Sequence, residues 1–113
     1  MNPASLERRL TLHQLRILQT VVDAGSITRG AATLSLSQPA LTHQLQGLAR
    51  AVGHPLFQPR RRRLELTPVG RALYERARRI LALVHDAAVA IEELGSGHAG
   101  AVLMPDRRDA FLA

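Results

Sequence analysis

If the residues that follow Ser37 form a helix advancing by about 100° per residue, Pro39, Thr42, His43, Gln46 and Arg50 share one side of it. Leu41, Leu45, Leu48 and Val52 then fall in a narrow stripe on the other side. The polar side offers short, hydrogen-bonding groups and no acid. Gln and Arg pair bidentately with base edges in a major groove, and threonine reaches a base or phosphate while its methyl meets thymine. Any amphipathic helix has a polar face, so this pattern alone leaves solvent as an alternative to a polyanion. A second group, Arg60, Arg61, Arg62 and Arg63, is four guanidiniums in succession. Such a run is often only a solvated patch. Packed this closely, however, the cations repel one another, and a phosphate or a narrow minor groove is their natural counter-anion. Thr28 and Arg29 join this expected DNA-facing set, as do Ser37 and Gln38 at the helix start.

Enzymatic chemistry is not visible. His13, His43, His54, His85 and His98 lack metal-ligand spacing, and no nucleophile elbow or P-loop occurs. Ser37 and His43 lie six residues apart along one helix, on different faces, and form no dyad. Neither a cofactor nor a metal is expected.

These residues need positioning elements. Thr11 with Gln14 makes a capping box, and Leu12, Leu15, Leu18 and Val22 recur at helical spacing up to a stop at Gly25. A short helix from Ser26 carries Ile27, Ala31 and Leu34 on one face, and Ser35-Leu36 is the turn. Ser37 caps the next helix, with Pro39 in its first turn, running to about Val52 before Gly53-His54-Pro55 breaks it. Leu56-Phe57 and Leu64-Glu65-Leu66 flank a polar, Pro-containing tip, the pattern of a small hairpin. Thr67-Pro68 opens a helix running to Leu94. Along it Leu73, Ala77, Ile80, Val84, Ala87, Ile91 and Leu94 step by 4 and 3 in turn, an a/d seam that predicts pairing with a second helix. Packing on its own domain accounts for the first turns near Val69 and Leu73, and the rest is assigned to a homodimer interface. The expected division is therefore 1–67 DNA-binding domain, 68–94 dimerisation helix and 95–113 flexible tail.

Composition agrees with a helical nucleic-acid binder. The chain has 113 residues, 46% hydrophobic but only 3% aromatic, so its core must be Leu, Val, Ile and Ala. The net charge of +6 is carried by arginine alone, without a single lysine. Residues 1–67 hold nine Arg against three acids, and residues 68–113 hold six of each, so the whole excess lies in the first part. One module is thus matched to a polyanion and the other to protein or water. Absence of cysteine fits a reducing cytoplasm. No apolar run of about 18 residues is present, and residues 1–10 lack the apolar segment of a signal peptide, so no membrane partner is expected.

Taken in order, Gly25-Ser26-Ile27-Thr28, Ala31 and Leu34, Ser37-Gln38-Pro39-Ala40-Leu41-Thr42, Gln44-Leu45 and Leu48, Gly53, Leu56-Phe57, and Leu66-Thr67 with Gly70 closely resemble the N-terminal region of LysR-type transcriptional regulators. The likeness covers about Leu12 to Leu94. It implies a winged helix-turn-helix, mainly α, whose second and third helices form the motif, with a basic β-hairpin wing and a long helix that pairs two subunits. It also implies that Ser37, Gln38, Pro39, Thr42 and His43 approach double-stranded DNA, with wing arginines on the adjacent backbone or minor groove. Ile27 stands where Phe is usual, Gly30 where Ala is usual, Ala49 where Glu is frequent and Pro59 where a wing Arg is frequent. The family's effector-binding domain is expected to be absent: Ala101-Val102-Leu103 hints at its first strand and Pro105 does not continue it. No small-molecule effector is then expected. The leading expectation is a sequence-specific, dimeric transcription regulator. A short regulator that forms mixed dimers with a longer relative, and a non-specific architectural DNA binder, stand as alternatives.

Overall fold

The computed structural model describes residues 3–61 and 63–97. Its elements run α1 (Pro3–Arg9), α2 (Leu12–Ala24), α3 (Ile27–Leu34), α4 (Gln38–Val52), β1 (Phe57–Arg60), β2 (Arg63–Leu66) and α5 (Pro68–Gly97). The chain divides into two bodies between Leu81 and Ala82, within α5.

Helices α2, α3 and α4 each start where a side chain satisfies an orphan backbone donor. The Thr11 hydroxyl accepts from the Gln14 N–H at 3.1 Å, and the Gln14 side chain accepts from the Thr11 N–H at 3.0 Å. Ser26 caps α3 through the Arg29 N–H at 3.1 Å, and Ser37 caps α4 through the Ala40 N–H at 3.2 Å. Helices α2 and α4 end on left-handed glycines, Gly25 at φ 86° and Gly53 at φ 84°. Helix α3 ends on Ser35 at φ 56°, whose N–H donates to Ala32 while Leu36 donates to Ala31, closing the tight turn into α4.

Three apolar clusters make the core of this body, the third of them where α5 packs on α2. Ile17 and Val21 of α2, Ala31 of α3, and Leu41 and Leu45 of α4 form one, with Ile27, Leu34, Leu36 and Phe57 packed on its edge. Leu18, Leu48, Val52 and Leu56 form a second, covered by Leu6, Leu10, Leu66, Val69, Leu73 and Tyr74 among others. The leucine–valine stripe of α4 is buried along its whole length. Leu12, expected on the buried face of α2, is instead 47% exposed, and Ile17 and Val21 take part in the core in its place. Helix α1 was not foreseen: its Leu6 and the following Leu10 roof the second cluster.

The hairpin is antiparallel, with Phe57 opposite Leu66, Gln58 opposite Glu65, Pro59 opposite Leu64 and Arg60 opposite Arg63. Proline in a two-stranded ribbon costs no ladder bond when its nitrogen faces outward. Arg61 turns the tip at φ 50°. Thr67 locks the hairpin to α5. Its hydroxyl donates to the Pro55 carbonyl at 2.7 Å and accepts from the Gly70 N–H at 3.0 Å, and its own N–H donates to the Leu56 carbonyl at 2.9 Å. Gly70 lies so near Leu56 that a Cβ there would sit 2.1 Å from its carbonyl oxygen. Only glycine fits.

Helix α5 runs three residues beyond the expected end at Leu94. Up to Leu81 it belongs to the first body. Ala77 (0% exposed) and Leu81 are buried against Leu15, with Leu10, Leu73 and Ile80 packed around them. This takes Ala77 out of the expected seam. Leu73, Ala77 and Ile80 are engaged by their own domain, and Ala77 has no surface left for a second chain. Leu81, off the seam, is buried beside them because the domain contacts a broader arc than one a/d line. The second body, taken alone, carries Leu83 (69%), Ile91 (69%) and Leu94 (62%) exposed. The expected tail from residue 98 onward, including Ala101–Leu103, lies outside the described residues.

Candidate nucleic-acid interface

Burying Leu41, Leu45, Leu48 and Val52 rotates the opposite side of α4 outward. Gln38, Pro39, His43, Gln46 and Arg50 are exposed and Thr42 is half-buried. Gln38, Pro39, Thr42, His43 and Gln46 line a single open depression. Ser37 is exposed as well; its oxygen accepts the Ala40 N–H, and its hydroxyl proton can still be donated to another partner. The depression offers amide, imidazole and hydroxyl groups in a row, without a carboxylate among them.

The wing supplies the second part. Arg60, Arg61 and Arg63 are exposed, while Arg62 lies outside the described residues. Thr28 and Arg29, both exposed, sit in the first turn of α3. A further depression brings Gly25, Ser26, Ile27 and Thr28 together with Pro59, Arg63 and Leu64. The structure thus places Thr28 beside wing residues thirty and more positions away in sequence, a proximity that only the tertiary fold reveals. Arg60 and Arg63 stand opposite each other across the ladder, an unfavourable like-charge pair. Glu65 offsets it, its Oε1 lying 3.6 Å from Arg60 Nη1. This carboxylate escaped the sequence reading, although it is the sole acid between Asp23 and Glu75.

A polar clamp ties α2 to α5. The Tyr74 hydroxyl donates to Asp23 Oδ1, and the Arg78 guanidinium lies 5.9 Å from the centre of the Tyr74 ring. The bond to Asp23, then burial and the Asp23 charge, hold the phenol above its ordinary pKa, with Arg78 acting in the opposite direction. Among the described residues no three His, Asp or Glu side chains converge as a metal site, and no helix is long and apolar enough to cross a membrane.

Residues 12–71, more than half of the chain, match the family described as bacterial regulatory helix-turn-helix protein, lysR family. The chain belongs to the LysR family. This is a family of transcriptional regulators and not an enzyme class. Over 94 residues this LysR-family chain is 39% identical to a probable RuBisCO transcriptional regulator of Cyanidioschyzon merolae, a match covering 83% of this chain and 31% of that protein. It is 34% identical over 91 residues to the regulator TfdT of Cupriavidus pinatubonensis, covering 80% and 40% respectively. The chain therefore spans well under half the length of these curated relatives. Among solved structures it is similar to the BenM DNA-binding domain in complex with catB site 1 DNA, with a TM-score of 0.73 and 31% identity over 79% of this chain and 96% of that one. It is also similar to the CbnR DNA-binding domain in complex with DNA, with a TM-score of 0.68 and 34% identity over 76% and 99%. These likenesses bear out the winged helix-turn-helix with its following long helix, and the family that the residue series had suggested.

Proposed function

We propose that this LysR-family chain regulates transcription in the cytoplasm by binding double-stranded DNA sequence-specifically, as a homodimer. The observation that carries the reading is the single depression on α4 lined by Gln38, Pro39, Thr42, His43 and Gln46, opposite a fully buried leucine stripe. Such a helix presents hydrogen-bonding groups to base edges while its other side is held rigidly by the core. The arginines of the wing and Arg29 supply phosphate attraction, which fixes register and gives no sequence information by itself. That the related BenM and CbnR domains were solved as DNA complexes supports the same use here.

Dimerisation is assigned to the second body. Val84, Ala87, Ile91 and Leu94 provide an apolar stripe at heptad spacing with Leu83 beside it, and large exposed residues such as Leu83, Ile91 and Leu94 call for a covering partner. Two copies would present two recognition helices to a two-fold symmetric site.

Nuclease protection with the full chain on genomic fragments tests the reading. A defined, two-fold symmetric footprint is expected, and Gln38→Ala or His43→Ala should lower the preference for that site over scrambled DNA by roughly tenfold, the scale of one base contact. Equal affinity for scrambled duplex would overturn sequence-specific recognition. Sedimentation should show two copies, and one copy after Ile91→Glu; a single copy in the wild type would overturn the dimer.

A further inference from the structure

The lone acid of the basic module has a place in this reading. Between Asp23 and Glu75 the sequence holds seven arginines and one carboxylate, that of Glu65. The hairpin register sets Glu65 directly opposite Gln58, which puts Gln58, Arg60, Arg63 and Glu65 on one face of the ribbon. Glu65 is diagonal to Arg60 and two residues along the same strand from Arg63, and it also lines a cleft with Arg71 of α5. Its contact to Arg60 is 3.6 Å long and largely exposed, the two side chains being 65% and 39% accessible. A pair of this kind is weak and competes with any other anion that approaches.

We propose that Glu65 is an internal counter-charge that holds Arg60 away from DNA phosphates and thereby limits sequence-independent binding by the wing. The inference rests on the DNA-binding reading above. In sequence-independent complexes the affinity comes from neutralised phosphates, and each one adds about 0.9 to the dependence of log K on log salt. An arginine that must first leave a carboxylate contributes less, and the carboxylate itself repels the duplex. Base contacts from α4 are unaffected, so the tempered wing shifts the balance toward sites that α4 recognises.

The experiment is a salt titration of the full chain on an unrelated mixed-sequence duplex, with wild type, Glu65→Gln, Arg60→Gln and the double variant, and thermal melting alongside. Glu65→Gln should tighten binding several-fold at low salt and steepen the salt slope by about one, so that about three- to four-fold more affinity is lost between 50 and 200 mM. In the Arg60→Gln background the same change should leave the slope unaltered. An unchanged slope in Glu65→Gln, with or without a lower melting temperature, would overturn the proposal, since a purely structural role moves melting alone. An equal gain without Arg60 would overturn it too, by showing general repulsion. If the wild type protects a defined site and only the Glu65 result fails, the DNA-binding reading stands. If the wild type retains no duplex at all, both fall.

Discussion

Arg61 is one of two non-glycine residues with positive φ among those described. A left-handed arginine costs about 1 kcal/mol or more relative to its usual backbone, and glycine would adopt φ 50° freely while losing more entropy on folding. The two terms nearly cancel. Arg61→Gly should therefore change stability by no more than about 0.5 kcal/mol in denaturant titrations. On DNA it should weaken binding to every sequence and lower the salt slope by about one. A loss of affinity without loss of stability would assign the guanidinium to the ligand. The same scale shows what the sequence could reveal. Leu41, Leu45, Leu48 and Val52 were legible as a stripe because a helix buries one side, and the structure buries all four. Glu65 was equally visible as a type and invisible as a partner, since its neighbour Arg60 is set by strand register.

The junction between hairpin and α5 concentrates three hydrogen bonds on Thr67, two of them through its hydroxyl. Thr67→Val keeps the shape and removes both hydroxyl bonds, leaving the Gly70 N–H without its cap. A cost of about 1–2 kcal/mol follows, and for a domain of this size the melting temperature should drop by roughly 4–8 °C per kcal/mol. The clamp between α2 and α5 gives a pH signature. Tyr74 holds its proton more tightly folded than unfolded. Its contribution is complete below the unfolded phenol value of about 10 and is lost as pH rises through the higher folded value. Unfolding midpoints measured from pH 9 upward should fall in the wild type and less steeply in Tyr74→Phe. Helix boundaries were legible wherever a hydroxyl cap and a terminal glycine coincide, as at Thr11, Gly25, Ser37 and Gly53. Helix α1 lacks such signals: seven residues with Leu6 as their one large apolar side chain form a helix because the second cluster needs a roof. The first half of the α5 seam was read incompletely for a related reason. Periodicity says that Leu73 and Ala77 face something apolar, and only tertiary packing says that Leu15 gets there first.

Across the molecule, charge and burial separate by region. The excess of arginine lies in residues 1–67, and the most exposed large apolar side chains, Leu83, Ile91 and Leu94, lie beyond Leu81, although Leu12 and Leu64 are exposed in the first part. With no lysine in the chain, the positive charge is carried by planar, bidentate guanidiniums. Among the described residues the capping side chains Thr11, Ser26, Ser37 and Thr67 are all hydroxyls, and no acid occupies the first turn of a helix. Aspartate is an equally good cap in general and gains from the helix dipole, so Ser37→Asp should leave the melting temperature unchanged or raise it slightly. On duplex DNA the same variant should bind more weakly, by direct comparison of titrations at one salt concentration. Neutral caps leave each helix start with its share of roughly half a positive elementary charge uncancelled. For α4, whose opening turn carries Gln38 and Pro39, the peptide dipoles themselves then draw a polyanion inward, an attraction that deleting arginines one by one would never remove.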